Sequence, residues 1–346
     1  MRDGKQLLSN RKGLTIVELM VALVLSFILI GAIYRTFTSQ QKAYTVQDQV
    51  AEAQQNARMA MNMLVRDIRM AGYGMPDTGV TINKTTYSNA IKIKKNDKYG
   101  GVVQDFDSVT IVGAFGAPSG YLNRTISPGS TEVFLRSSVE ASNFDTGDRQ
   151  YIFIGGIDKL NVTGVSGNKL ELSGNTTVRY PTGILSAGVD GGNTEIPLVD
   201  AGGLTSGDVL SLGTETITIT AVSPNSITVD TDLETAGNQG ISGTYPAGTV
   251  MNPIAVFRVT ALEYTIDPYS GCLLRDDKAM TAGGGEAARL AGNIEDIQIT
   301  PDDQDDQTWY TITLTARTRN PDPDYMENGG YRQRILRSVV MLRNLR

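Results

Sequence analysis

The chain has 346 residues, 40% of them apolar and 20% charged, with 37 glycines and a net charge of −6. That apolar share supports a packed core, and the acidic balance argues against nucleic acid as a partner of the globular part. Histidine is absent and Cys272 is the only cysteine, which excludes Ser-His-Asp and Cys-His chemistry and an intramolecular disulfide. No enzymatic activity and no cofactor are expected.

Residues 1–13 carry Arg2, Lys5, Arg11 and Lys12 against Asp3. Such a basic flank keeps this end cytoplasmic and sends the rest across the membrane. From Leu14 to Tyr34 the run is apolar and its only charge is Glu18. A helix of about 20 residues spans a bilayer, so this run is long enough. A carboxylate inside it is costly and calls for a partner or a task. No A-x-A cleavage pattern follows, unlike an ordinary secretory signal.

Past Tyr34 the pattern becomes amphipathic. Ala43, Val46, Val50, Ala53, Ala57, Ala60, Leu64, Ile68 and Ala71 recur at spacings of three and four, which places them on one helical stripe. One helix is predicted from Leu14 to Ala71, stopped by Gly72-Tyr73-Gly74-Met75-Pro76. The small alanines suit close packing on a sheet. Arg66, Asp67 and Arg69 read as a solvated helix end, with arginine complementing the helix dipole.

Beyond Pro76 the chain reads as β structure. Ala90–Lys94 and Asp107–Gly113 are strand candidates. An internal repeat follows: Val162–Leu172 aligns without gaps on Ile219–Val229, around Ser-Gly-Asn and Ser-Pro-Asn turns. Thr131-Glu132-Val133 matches Thr194-Glu195-Ile196, and Gly147-Asp148 matches Gly207-Asp208. Tyr180-Pro181-Thr182-Gly183 matches Tyr245-Pro246-Ala247-Gly248. Two related small β modules are expected, their Asp, Asn and Gly serving turns. Further strands are predicted at 255–267, 270–275, 287–299, 309–319 and 335–345. Cys272 is expected to be buried rather than reactive. Asp302, Asp303, Asp305 and Asp306 form a weak candidate for a hard cation, but they lack the glycine and distal glutamate of an EF-hand loop.

The segment Lys12-Gly13-Leu14-Thr15-Ile16-Val17-Glu18-Leu19 resembles the class III signal of type IV prepilins and pseudopilins. That resemblance implies cleavage between Gly13 and Leu14 by a prepilin peptidase and N-methylation of Leu14. It also implies a role for Glu18 in attracting the N-terminal amine of a neighbouring subunit. Leucine after the cut departs mildly from the commoner phenylalanine. Gln40-Gln41-Lys42-Ala43-Tyr44, Ala53–Arg58, and Arg66-Asp67-Ile68-Arg69-Met70-Ala71-Gly72-Tyr73 resemble PilW-type minor pilins. The Asn320–Tyr325 loop and Tyr331-Arg332-Gln333-Arg334 do so too.

The fold class implied is α+β and type IV pilin-like. A long N-terminal helix packs on an antiparallel β head that carries two inserted modules. The expected organisation is a leader (1–13), a transmembrane half-helix (14–34) and an amphipathic half-helix (35–72). The head follows (73–130 and 253–346), with modules at 131–185 and 186–252. The implied function is that of a minor pilin in a priming or tip complex that promotes pilus assembly. Its partners would be other pilins, the prepilin peptidase and inner-membrane lipid, with the head periplasmic and later at the cell surface. The alternatives are a J-type pseudopilin of a type II secretion system and a signal-anchored surface-binding protein.

Overall fold

The computed structural model describes residues 15–96, 98–99, 102–103, 105–147, 150–278, 287–302 and 309–343. One long helix, α1 (Ile16–Arg69), leads into a head that is largely antiparallel β-sheet. Its last turns dock through Ala53, Ala57, Ala60, Leu64 and Ile68, each fully buried. Their spacings of three and four put them on one face, and the alanines let the backbone approach the sheet closely. The predicted stripe starts too early: Ala43 is exposed and Val46 and Val50 are only half-buried. Helix α1 reaches its docking surface only near Ala53, after the pattern has begun. It ends at Arg69 with Met70 as cap, two residues short of the predicted stop. Gly72 N–H then bonds Val112 O at 2.8 Å, so the chain leaves the helix straight onto the sheet.

The main core lies between α1 and two sheets. One is three-stranded, in the order 294–301, 309–317, 333–341. In its middle strand, Tyr310, Ile312, Leu314 and Ala316 face α1 and are buried, as two-residue alternation requires. The other is ten-stranded, and its central strand Ala255–Asp267 pairs with 108–114, 120–121, 151–154 and 272–277. Cys272, expected to be buried, is half-buried at the start of a strand.

Between residues 120 and 256 one hydrogen-bonding pattern occurs twice. In the hairpin 158–166/169–172, Val162 faces Leu172 and Val165 faces Leu170, with a bulge between Val162 and Gly164. In the hairpin 215–223/226–230, Ile219 faces Val229 and Val222 faces Ile227, with a bulge between Ile219 and Ala221. The flanking strand 132–134 meets the first hairpin as 195–197 meets the second. The pattern extends upstream of the sequence match. Gly120-Tyr121 pairs with Ala255-Val256, and Gly183-Ile184 pairs with Val250-Met251. Each unit has its own apolar cluster, one around Leu122, Val133, Ile152 and Leu170, the other around Leu185, Ile196, Leu210 and Ile227.

A tyrosine–carboxylate latch also repeats. Tyr180 O–H donates to Asp158 at 2.8 Å, and Tyr245 O–H donates to Glu215 at 2.7 Å. The same carboxylates accept the backbone N–H of Thr177 and of Ser242. Gly155 and Gly213, both at positive φ, lie where a Cβ would strike the tyrosine ring. Burial and the Asp158 hydrogen bond push the Tyr180 hydroxyl up.

The units are tied to each other by Arg179, which donates to both oxygens of Asp208 at 2.5 Å. This contact holds the Asp208 carboxyl below its ordinary range. A lowered carboxylate stabilises the fold above its ordinary titration range, near pH 4, and ceases to do so as the pH falls through the lowered value. Hydrogen-exchange protection at residues 203–208, relative to the unfolded rate at each pH, is therefore expected to fall on acidification below about pH 4. In Asp208→Asn the protection should be low already at neutral pH. An unchanged rate in that variant would show that the pair contributes nothing.

Candidate functional site at the capped end of the apolar helix

Helix α1 starts where Thr15 takes an extended backbone and its hydroxyl accepts the Glu18 N–H at 3.2 Å. Glu18 Oε2 reaches back and accepts the Thr15 N–H and the Thr15 hydroxyl, both at 3.0 Å. This reciprocal arrangement is a capping box, and it satisfies donors that the first turn leaves without helical partners. The first turn also favours a negative charge through the helix dipole. Within the chain Thr15 is a hydrogen-bond partner of Glu18, and the Thr-x-x-Glu spacing is the sequence signal of that cap. The second oxygen, Oε1, receives no hydrogen bond among the described residues.

The apolar face beyond Glu18 is uncovered all round. Ile16 is 81% exposed and Phe27 65%, with no head residue packed on them. The hydroxyls in and just past this stretch turn back onto the helix: Ser26 donates to Ala22 O at 2.8 Å and Thr36 to Ala32 O at 3.0 Å. Neither of these hydroxyls is therefore left as an open donor that water would have to serve. It is long and apolar enough to cross a membrane.

Gly13 and Leu14, the expected cleavage and methylation positions, lie outside the described residues. So do Asp303, Asp305, Asp306 and Asp148. Asp302 is described, and its N–H bonds Trp309 O at 2.9 Å. Among the described residues no group of three or more acidic or cysteine side chains could hold a metal ion.

At the other end of α1, Asp67 departs from the solvated helix end expected of it. It is 2% exposed. Its carboxylate accepts Arg66 Nε at 2.9 Å, Arg275 Nε at 3.3 Å and the Tyr264 hydroxyl. Burial, then the Asp67 charge, pushes the Tyr264 hydroxyl up. The cluster fastens the helix to the central strand, and Arg69 remains on the exposed face.

Residues 8–34 match the prokaryotic N-terminal methylation motif. No curated protein matches the chain. The motif indicates a type IV pilin- or pseudopilin-like prepilin, and together with the uncovered apolar helix it indicates anchoring in a membrane.

Proposed function

We propose that the chain is a minor pilin of a type IV pilus, similar to the PilW type, that joins a priming or tip complex and promotes pilus assembly. It is made as a precursor held in the inner membrane, with residues 1–13 cytoplasmic and the head periplasmic. A prepilin peptidase cuts after Gly13 and methylates Leu14. The new ammonium at Leu14 lies next to Thr15, the residue Glu18 reaches. In a bundle of such helices, Glu18 Oε1 accepts the ammonium of a neighbouring pilin, because both charges are otherwise expensive in low dielectric. The head, with its two related inserted modules, is an exposed binding surface and not an enzyme.

The observation that carries this reading is the methylation motif set on an uncovered apolar helix with Glu18 at its capped end. Mass spectrometry of the chain from membranes tests it. The expected N-terminus is methylated Leu14. A chain beginning at Met1 or Arg2 would sink the proposal in favour of a plain signal anchor.

A further inference from the structure

The last strand, Gln333–Met341, is an edge. It pairs with Trp309–Arg317 through nine consecutive positions without a register shift, and no strand or loop among the described residues pairs with its far side. Natural edges are protected by proline, bulges, short length or charge, and of these the strand has only the charge of Arg334 and Arg337. This one has nine residues, no proline and no bulge. On the face turned away from α1 it exposes Ile335, Val339 and Met341, beside Trp309 across the pair.

Its charge is unlike the rest of the molecule. From Asn328 to Arg346 there are five arginines and no acidic side chain, in a chain whose net charge is −6. Outside α1, Arg124, Arg136, Arg179, Arg258, Arg275, Arg289, Arg317 and Arg332 each stand within ion-pair distance of a carboxylate. Among the described residues no carboxylate pairs with Arg334, Arg337 or Arg343, all on or just past this strand. Side by side, two such strands would set arginine against arginine, so the charge opposes pairing with the same strand of a second chain. It favours an acidic one.

We propose that this edge receives an extended acidic segment of a partner subunit as an added strand. Backbone hydrogen bonds supply the register. On the face turned away from α1 its side chains cover Ile335, Val339 and Met341 and a carboxylate meets Arg337 between them, while on the opposite face a second carboxylate meets Arg334. That the partner is a fellow pilus subunit rests on the function proposed above, but the recognition chemistry does not.

Trp309 is the only tryptophan in the chain and lies in the exposed patch, so its emission reports docking. The full chain in detergent micelles would be titrated with a nonapeptide of valine and threonine carrying two glutamates three positions apart, as Arg334 and Arg337 are, and with the same peptide carrying lysine for glutamate. A saturable blue shift is expected with the glutamate peptide, at least about tenfold tighter than with the lysine peptide, since two exposed pairs change from attraction to repulsion. In the double variant Arg334→Glu, Arg337→Glu the preference should reverse. Gain of lysine-peptide binding shows at the same time that the variant is folded. Equal response to both peptides, or an unchanged preference in the variant, would overturn the proposal. So would a concentration-dependent blue shift of the chain alone that the variant abolishes, because the occupant would then be a second copy. The outcome is independent of cleavage after Gly13, so failure here leaves the pilin reading untouched.

Discussion

Glu18→Gln is expected to leave the chain in the membrane and to remove it from complexes with partner pilins. Glutamine serves at the third helical position of a capping box as glutamate does, so the helix start survives. Only the charge is lost. The companion variant is Thr15→Ala, which removes the hydroxyl that Glu18 now uses and keeps the carboxylate. Loss of the cap costs about 1 kcal/mol of helix stability. A helix held by a bilayer tolerates that, so Thr15→Ala should still assemble. Glu18→Gln should lower recovery with tagged partner pilins at least about tenfold, because an ammonium left without its counter-charge in low dielectric is strongly disfavoured. Co-purification from membranes measures recovery, and the membrane fraction itself controls for insertion. The reverse ranking, with Thr15→Ala lost and Glu18→Gln retained, would mean that the cap matters and the ion pair does not.

Asp67→Ala is expected to be the most damaging single change in the head. Tyr264 is fully buried, and its hydroxyl has Asp67 as acceptor. Alanine leaves that hydroxyl unsatisfied and takes the carboxylate from Arg275. The expected loss is about 2–4 kcal/mol, the range for an orphaned buried donor together with a broken, partly buried pair. Arg66 adds little, since its side chain is 63% exposed. Tyr264→Phe keeps both arginines on Asp67 and should cost only about 1 kcal/mol. Trp309 stands on the strand whose other face meets α1, so its fluorescence follows the relevant core during urea unfolding. The midpoint should fall further for Asp67→Ala than for Tyr264→Phe, in proportion to these costs. Equal midpoints would show that the guanidinium contacts are incidental.

These two residues also mark what could be read in advance. Helix α1 was legible because an unbroken apolar run and an alanine stripe persist over many turns, and local pattern alone decides such a helix. The strand at 309–317 was legible from alternation, and those at 108–114 and 255–267 as short β-rich runs. The Thr15 cap was legible and overlooked, since its signal is a four-residue spacing. Asp67 was not legible: its partners Tyr264 and Arg275 lie 197 and 208 positions away, and nothing local announces them. The paired hairpins showed themselves because turn and strands repeat without a gap. The tyrosine latches did not, because aspartate in one unit is glutamate in the other and the loops between carboxylate and tyrosine differ in length. Duplicated geometry outlasts duplicated letters.

The two units close on different strands. The second unit ends on a strand of its own, Val250-Met251, five residues after Tyr245. The first unit ends on Ala255-Val256, the beginning of the central strand, and between Tyr180 and that strand sits the whole of the second unit. The later unit is thus nested in the final turn of the earlier one, with its two ends held side by side by the Gly183–Met251 pair. A unit placed this way can be added or removed at the Tyr180-Pro181 turn without cutting the strand 255–267 that carries the helix-bound core. Relatives of this protein are then expected to differ in reach by whole units, with the same innermost strand.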